Sequence, residues 1–268
     1  MSSCALPEAA RAHTLFGQGT TFMAPPSFSI VIAGIFLVAG FVKGVIGLGL
    51  PTVSVGLLGL MMTPSQAAAI VVLPSLVTNV WQCGGKGFSA LLWRIWPMLA
   101  GIAVGTFIGA ILLPHGGTEE ATIWLGIALA IYAGLGLFKL HFVVPPRAEW
   151  WLGPLIGAGT GIVTVATGVF VLPCVPYVQA LQMDRDKLVQ AMGISFTVST
   201  ITMAAALAHA GAMSGSIAGV SLIALAAGLA GMVLGQIVRG KVAAKTFRLC
   251  FFIGLLLLGA HLALRSVM

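Results

Sequence analysis

The stretch FSIVIAGIFLVAGFVKGVIGLGLPTVSVGLLGLMM, residues 28–62, decides how this chain is read. It carries a single charge, Lys43, and it is longer than the roughly 20 residues that one membrane-spanning helix needs. Its middle holds Gly44, Gly47, Gly49 and Pro51, residues that interrupt a helix rather than extend it. The pattern predicts a helical hairpin or a pair of half-helices in place of one straight span. Residues 151–182 read the same way, with Gly157, Gly159, Gly161, Gly168, Pro173 and Pro176.

Working outward, the remainder is as apolar. Of 268 residues 59% are hydrophobic and 7% charged, against about 45–50% and 25% in a soluble domain. Residues 44–85 and 188–238 contain no Asp, Glu, Lys or Arg, and the mean hydropathy is +1.09. So few charges exclude a soluble enzyme, a disordered chain and a coiled coil, and the absence of strict alternation excludes a β-barrel. Apolar segments fall at about 28–46, 50–62, 64–83, 89–113, 120–141, 151–166, 168–182, 187–209, 214–238 and 246–265. The expected fold is an all-α polytopic membrane protein, with a bilayer as its solvent. The expected boundaries are a weakly ordered extension at 1–27 without signal-peptide grammar, a first membrane repeat at 28–141, a linker at 142–150 and a second repeat at 151–265.

The net charge of +7 does not point to nucleic acid, because Lys and Arg sit at segment ends, where they orient a chain in a membrane. Counting crossings, one face receives Lys86, Arg94, Lys139, Arg147, Arg185, Lys187, Arg239, Lys241, Lys245 and Arg248, and the other only Arg11 and Arg265. The positive-inside bias places 84–88, 142–150, 183–187 and 239–246 in the cytoplasm, with both termini and 114–119 outside. Arg94, beside Trp93 and Trp96, reads as an interfacial anchor. Localisation in a bacterial cytoplasmic membrane is the expectation.

A shift of 122 residues superposes Pro51 on Pro173, Met61 on Met183, Ala69 on Ala191, Ser75 on Thr197 and Thr78 on Thr200. In each half a Gly-rich stretch precedes the proline, and a polar turn and a Ser/Thr-bearing helix follow it. Five segments per half make the second copy inverted relative to the first. Two inverted repeats with broken helices are the architecture of many secondary transporters.

Gly44-Val-Ile-Gly47-Leu-Gly49-Leu-Pro51 followed by an Ala-rich Ser/Thr helix resembles the first half-motif of the TauE/SafE family of sulfite and organosulfonate exporters. Gly161 through Gly168-Val-Phe-Val-Leu-Pro173, with Asp186-Lys187-Leu-Val-Gln-Ala191-Met-Gly-Ile-Ser195-Phe, resembles the second. The resemblance spans about 28–265. The chain departs from the family's pattern at Leu48 and Leu50, where the glycine cluster is thinner, and in carrying Lys43. The resemblance implies export or uptake of sulfite, an organosulfonate or another small anion.

The chemistry left to the segments suits an anion. None of the six acids, Glu8, Glu119, Glu120, Glu149, Asp184 and Asp186, lies in a segment interior, so an acidic proton relay or cation cage is unavailable there. Broken helices offer backbone N–H groups, which Gly47, Gly49 and Gly168 would let a ligand approach. Thr52, Ser54, Ser75, Thr78 and Asn79 in one half and Thr167, Ser195, Thr197, Ser199 and Thr200 in the other supply further donors, or merely pack helices. Gly44, Pro51, Gly161 and Pro173 are the expected hinges. Lys43 is either a cationic anchor for the substrate or a side chain snorkelling to an interface. Cys174 reads as a packing residue, the scattered His141, His209 and His261 form no metal site, and Gln66, Gln82, Gln179 and Gln190 read as hydrogen-bond formers at hairpin tips. The expected activity is a secondary carrier working by alternating access, not an enzyme, with no cofactor. An anion channel or a structural subunit of a larger transporter is the alternative, and an integral-membrane enzyme a more remote one. The coupling ion, proton or sodium, and the oligomeric state are left open.

Overall fold

A computed structural model describes residues 26–113, 119–138, 143–213, 215–239 and 244–265. The N-terminal extension up to residue 25, most of the loop 114–119, and Lys139, His141 and Lys241 lie outside the described residues. Within them the protein is all α-helical and contains no strand. The helices are α1 (Pro26–Ile46), α2 (Leu50–Leu58), α3 (Pro64–Cys83), α4 (Phe88–Leu112), α5 (Glu119–Phe138), α6 (Pro146–Thr167), α7 (Cys174–Ala180), α8 (Arg185–His209), α9 (Gly215–Val238) and α10 (Ala244–Arg265). Seven of them, α1, α3, α4, α5, α8, α9 and α10, are long and apolar enough to cross a membrane. With its 22 residues α6 is long enough as well, about 33 Å, but Arg147 and Glu149 at its start and its Gly and Thr content lower its apolarity.

The two punctuated stretches each fold as one long helix, a break and one short helix, rather than as two equal half-helices. The first break is Gly47-Leu48-Gly49, where φ reaches +90° at Gly47 and +112° at Gly49, values an L side chain resists. Pro51 then sits in the first turn of α2, where its missing N–H leaves no helical acceptor unserved. The second break runs from Gly168 (φ +73°) to Pro173. Here the Thr167 hydroxyl accepts from the Val169 backbone N–H at 3.2 Å, so the chain turns away from α6 with its freed amide satisfied. The expected hinges Gly44 and Gly161 are interior to α1 and α6, and neither is a turning point. A Cβ on Gly44 would lie 2.3 Å from the Met232 carbonyl oxygen of α9, and one on Gly161 would lie 2.3 Å from the Thr106 nitrogen of α4. Both positions are glycine because another helix backbone passes there. The stretch 142–150 expected as a linker is already helical from Pro146, a residue suited to a helix's first turn.

Small residues weld the long helices into pairs, as helices do in lipid, where burial of apolar side chains gives little drive to associate. On α1 and α9, Gly40, Gly44, Gly231 and Gly235 let the backbones touch. On α4 and α6, Gly101, Gly105, Gly157 and Gly161 do the same. Gly126 of α5 meets Gly259 of α10. Exchanging α1–α5 for α6–α10 turns the α1–α9 pairing into α6–α4 and the α3–α9 pairing into α8–α4, and returns α3–α8 and α5–α10 to themselves. The α3–α8 crossing lies between these welded pairs and carries seven of the buried polar side chains: Ser75, Thr78, Asn79, Gln190, Ser195, Ser199 and Thr200.

Candidate functional site

Lys43 occupies the last turn of α1, and its side chain is 2% exposed. It does not snorkel. Its Nζ donates to Thr78 Oγ1 at 3.0 Å and to Asn79 Oδ1, both on α3. Asn79 in turn donates through Nδ2 to Thr200 Oγ1 on α8 at 3.5 Å. One amide therefore joins an ammonium from the first half of the chain to a hydroxyl from the second. Lys43 is the only charged residue that is buried among the described residues. All its hydrogen-bond partners are neutral, and the cost of holding a charge here falls on them.

The local folding of α3 prepares these acceptors. Pro74 lies inside the helix and cannot donate to the Ile70 carbonyl. That carbonyl instead accepts from Ser221 Oγ of α9 at 3.3 Å. Thr78 Oγ1 donates to Pro74 O at 2.7 Å, which turns the oxygen lone pairs toward Lys43. Thr200 Oγ1 donates to Phe196 O at 2.6 Å in the same manner on α8. Among the described residues four hydroxyls are buried without a hydrogen-bond partner: Thr52 and Ser54 on α2, Ser75 on α3 and Ser199 on α8. Ser75 is one turn before Asn79, and Ser199 adjoins Thr200. Buried hydroxyls left unpaired are costly, and Ser75 and Ser199, next to the cluster along their helices, are donors available to a ligand or to water.

The first break is clasped at the far end of α3. Gln82 Nε2 donates to the Gly47 carbonyl at 2.6 Å, and Gln190 Nε2 of α8 donates to the Cys83 carbonyl at 2.8 Å. Cys83 Sγ lies 3.3 Å from Asn79 O and 3.5 Å from Thr197 Oγ1. Gln82, Gln190 and Cys83 were not among the expected site residues. Their one sequence signal is an amide or thiol in an apolar helix, which does not say what it reaches. The second break lies elsewhere: a Cβ on Gly168 would be 3.2 Å from Ala68 Cβ and 3.3 Å from Val55 Cγ1. Gly47 thus meets the last turn of α3 and Gly168 the first two, on the order of 20 Å apart along the helix. The breaks do not come together at one point. Beside Gly168 a cleft is lined by Ser65, Ala68, Thr164, Met203 and Ala206, among others.

The other expected residues scatter by role. Thr167 serves the turn at Gly168. Ser195 and Thr197 donate to carbonyls of their own helix at 2.8 Å. A side chain at Gly49 would run into Val42 and the Phe251 ring, which places that glycine against α10. Arg94 is more than an interfacial anchor. Its guanidinium holds Glu149 of α6 at 2.6 and 2.9 Å and the Leu181 carbonyl at 3.2 Å. Tyr177 Oη of α7 donates to the Glu149 carbonyl at 3.2 Å, so α4, α6 and α7 are tied at one end.

A helical bundle with two interrupted helices and a buried cation between its halves belongs to the class of multi-pass membrane proteins. This chain belongs to the sulfite exporter TauE/SafE family, a family of membrane transporters, whose profile matches residues 32–262. No curated protein and no solved structure matches the chain.

Proposed function

We propose that the protein is a secondary transporter of a small anion, sulfite or an organosulfonate, working by alternating access across a bacterial cytoplasmic membrane. The observation that carries this reading is the Lys43–Asn79–Thr200 chain of hydrogen bonds. It sets a cation with only neutral partners between the two halves, beside hydroxyls that have no partner of their own. Lys43, Thr78, Asn79, Thr200, Ser75 and Ser199 form the binding set. Gly47 and Gly168 end the helices on either side of it. The helix pairing that survives exchange of the halves supports two structurally equivalent repeats. The exposed Lys86, Arg147, Arg185, Lys187 and Arg248 support a cytoplasmic face at 84–88, 142–150, 183–187 and 239–246, which makes the second repeat inverted.

The test is efflux of labelled sulfite from proteoliposomes. A carrier accelerates when unlabelled sulfite is present on the opposite side, because a loaded site returns faster than an empty one. Efflux that is fast but indifferent to external sulfite would make the protein a channel, and efflux equal to that of protein-free vesicles would end the transport reading. Topology is checked separately: tags at 84–88 and 239–246 should report one face, and a tag at 114–119 the other.

A further inference from the structure

The charge balance of the Lys43 site carries a further inference, which rests on the anion-carrier reading above. Among the described residues one ammonium is buried, and no second cation and no carboxylate is buried with it. Other cations at the helix ends are not buried with it: Lys86, Arg185 and Lys187 are exposed, Arg239 is half-buried at the end of α9, and Arg94 is already paired with Glu149. Every other polar group at the site is an amide, a hydroxyl or the Cys83 thiol. Such groups donate hydrogen bonds to an anion's oxygens, but they cancel none of its formal charge. In a water-poor interior, the net charge of the loaded site decides what it holds, because an uncompensated charge keeps most of its desolvation cost.

We infer that the site selects singly charged oxyanions, hydrogen sulfite and monosulfonates R–SO3⁻, over dianions of the same shape such as sulfate and fully ionised sulfite. With a monoanion the loaded site is neutral: Lys43 Nζ answers the charge, and the hydroxyls of Ser75 and Ser199 supply donors to the remaining oxygens. With a dianion one full negative charge stays buried without a counter-ion.

The test uses pairs of anions matched in shape and different in charge. Labelled sulfite is loaded into proteoliposomes at a pH where hydrogen sulfite predominates inside. Its efflux is followed with external chlorate, a pyramidal monoanion, or external sulfite at a pH where the dianion predominates. A second pair is methanesulfonate against sulfate. We expect chlorate and methanesulfonate to accelerate efflux with half-saturation constants at least about tenfold below those of their dianionic counterparts. Equal stimulation by both members of each pair overturns the charge selection and leaves the anion carrier standing. Stimulation by none of the four, with efflux at the protein-free rate, overturns both. As a control, Lys43→Gln should raise the half-saturation constant for methanesulfonate about tenfold or more while the inserted amount of protein holds. An unchanged constant in that variant assigns the selectivity to something other than Lys43 and overturns the inference.

Discussion

Gln82 holds Gly47: the side-chain amide at the end of α3 donates at 2.6 Å to the carbonyl at which α1 stops. The break is therefore not free to unwind without breaking a hydrogen bond to a neighbouring helix. Gln82→Leu removes the donor and leaves a backbone carbonyl in the interior without its partner. We expect a loss of about 1–3 kcal/mol in stability, read by thermal unfolding in detergent. Gln82→Glu has the same shape and, once ionised, no donor, so it should be no better than leucine. A fully stable Gln82→Glu protein would mean that shape alone supports the break.

Asn79 separates fold from function. Asn79→Leu takes an acceptor from Lys43 and should cost about 1.5–3 kcal/mol, the range for a hydrogen bond to a charged group. Asn79→Asp returns the acceptor and adds a negative charge beside the ammonium. That variant should be at least as stable as the parent and inactive in anion transport, because the internal carboxylate occupies the charge an incoming anion needs. Sulfite efflux from a well-folded Asn79→Asp protein at the parent's rate would remove Lys43 from the binding site.

The ion pair of Arg94 and Glu149 predicts a modest effect, since the guanidinium is 39% exposed and water screens it. A double-mutant cycle with Arg94→Ala and Glu149→Ala should give a coupling of about 0.5–1 kcal/mol. Arg94→Lys should not restore it, because one ammonium cannot span both carboxylate oxygens and reach the Leu181 carbonyl. Full rescue by lysine would reduce the contact to simple charge attraction.

Two glycines of similar appearance should respond oppositely to alanine. A Cβ at Gly105 would sit 2.1 Å from the Ala158 carbonyl oxygen, whereas at Gly134 nothing lies within 4 Å. Gly105→Ala should force α4 from α6 and lower the unfolding temperature. Gly134→Ala should be neutral or stabilising by up to about 1 kcal/mol, the ordinary helix preference. Equal responses would contradict the close α4–α6 crossing.

The segments and breaks were readable because a membrane imposes its length on apolar runs and because glycine and proline interrupt them in plain sight. Lys43 was readable for the same reason, as a charge where apolar residues belong. Its direction was not: whether a lysine near a helix end reaches inward or outward depends on what stands opposite, and Asn79 is 36 positions away. Gly44 and Gly161 read as hinges in the sequence because glycine serves a turn and a close helix crossing equally well, and only the neighbour distinguishes them. The Arg94–Glu149 contact spans 55 positions and leaves no periodic trace. The same holds for Gln190, whose partner is a backbone carbonyl that any residue could have supplied.

The glycine seams bear on how such a protein can move. Each joins a helix of the first half to a helix of the second: α1 to α9, α4 to α6, α5 to α10. Rocking residues 26–138 as one block against 146–265 would pull open all three seams at once. If the seams hold during transport, the bodies that stay rigid are pairs made of one helix from each half of the chain. The part left to shift between them is the α3–α8 crossing with its two broken neighbours. The halves of the sequence and the bodies that its glycine seams would hold together are thus two different divisions of the same chain.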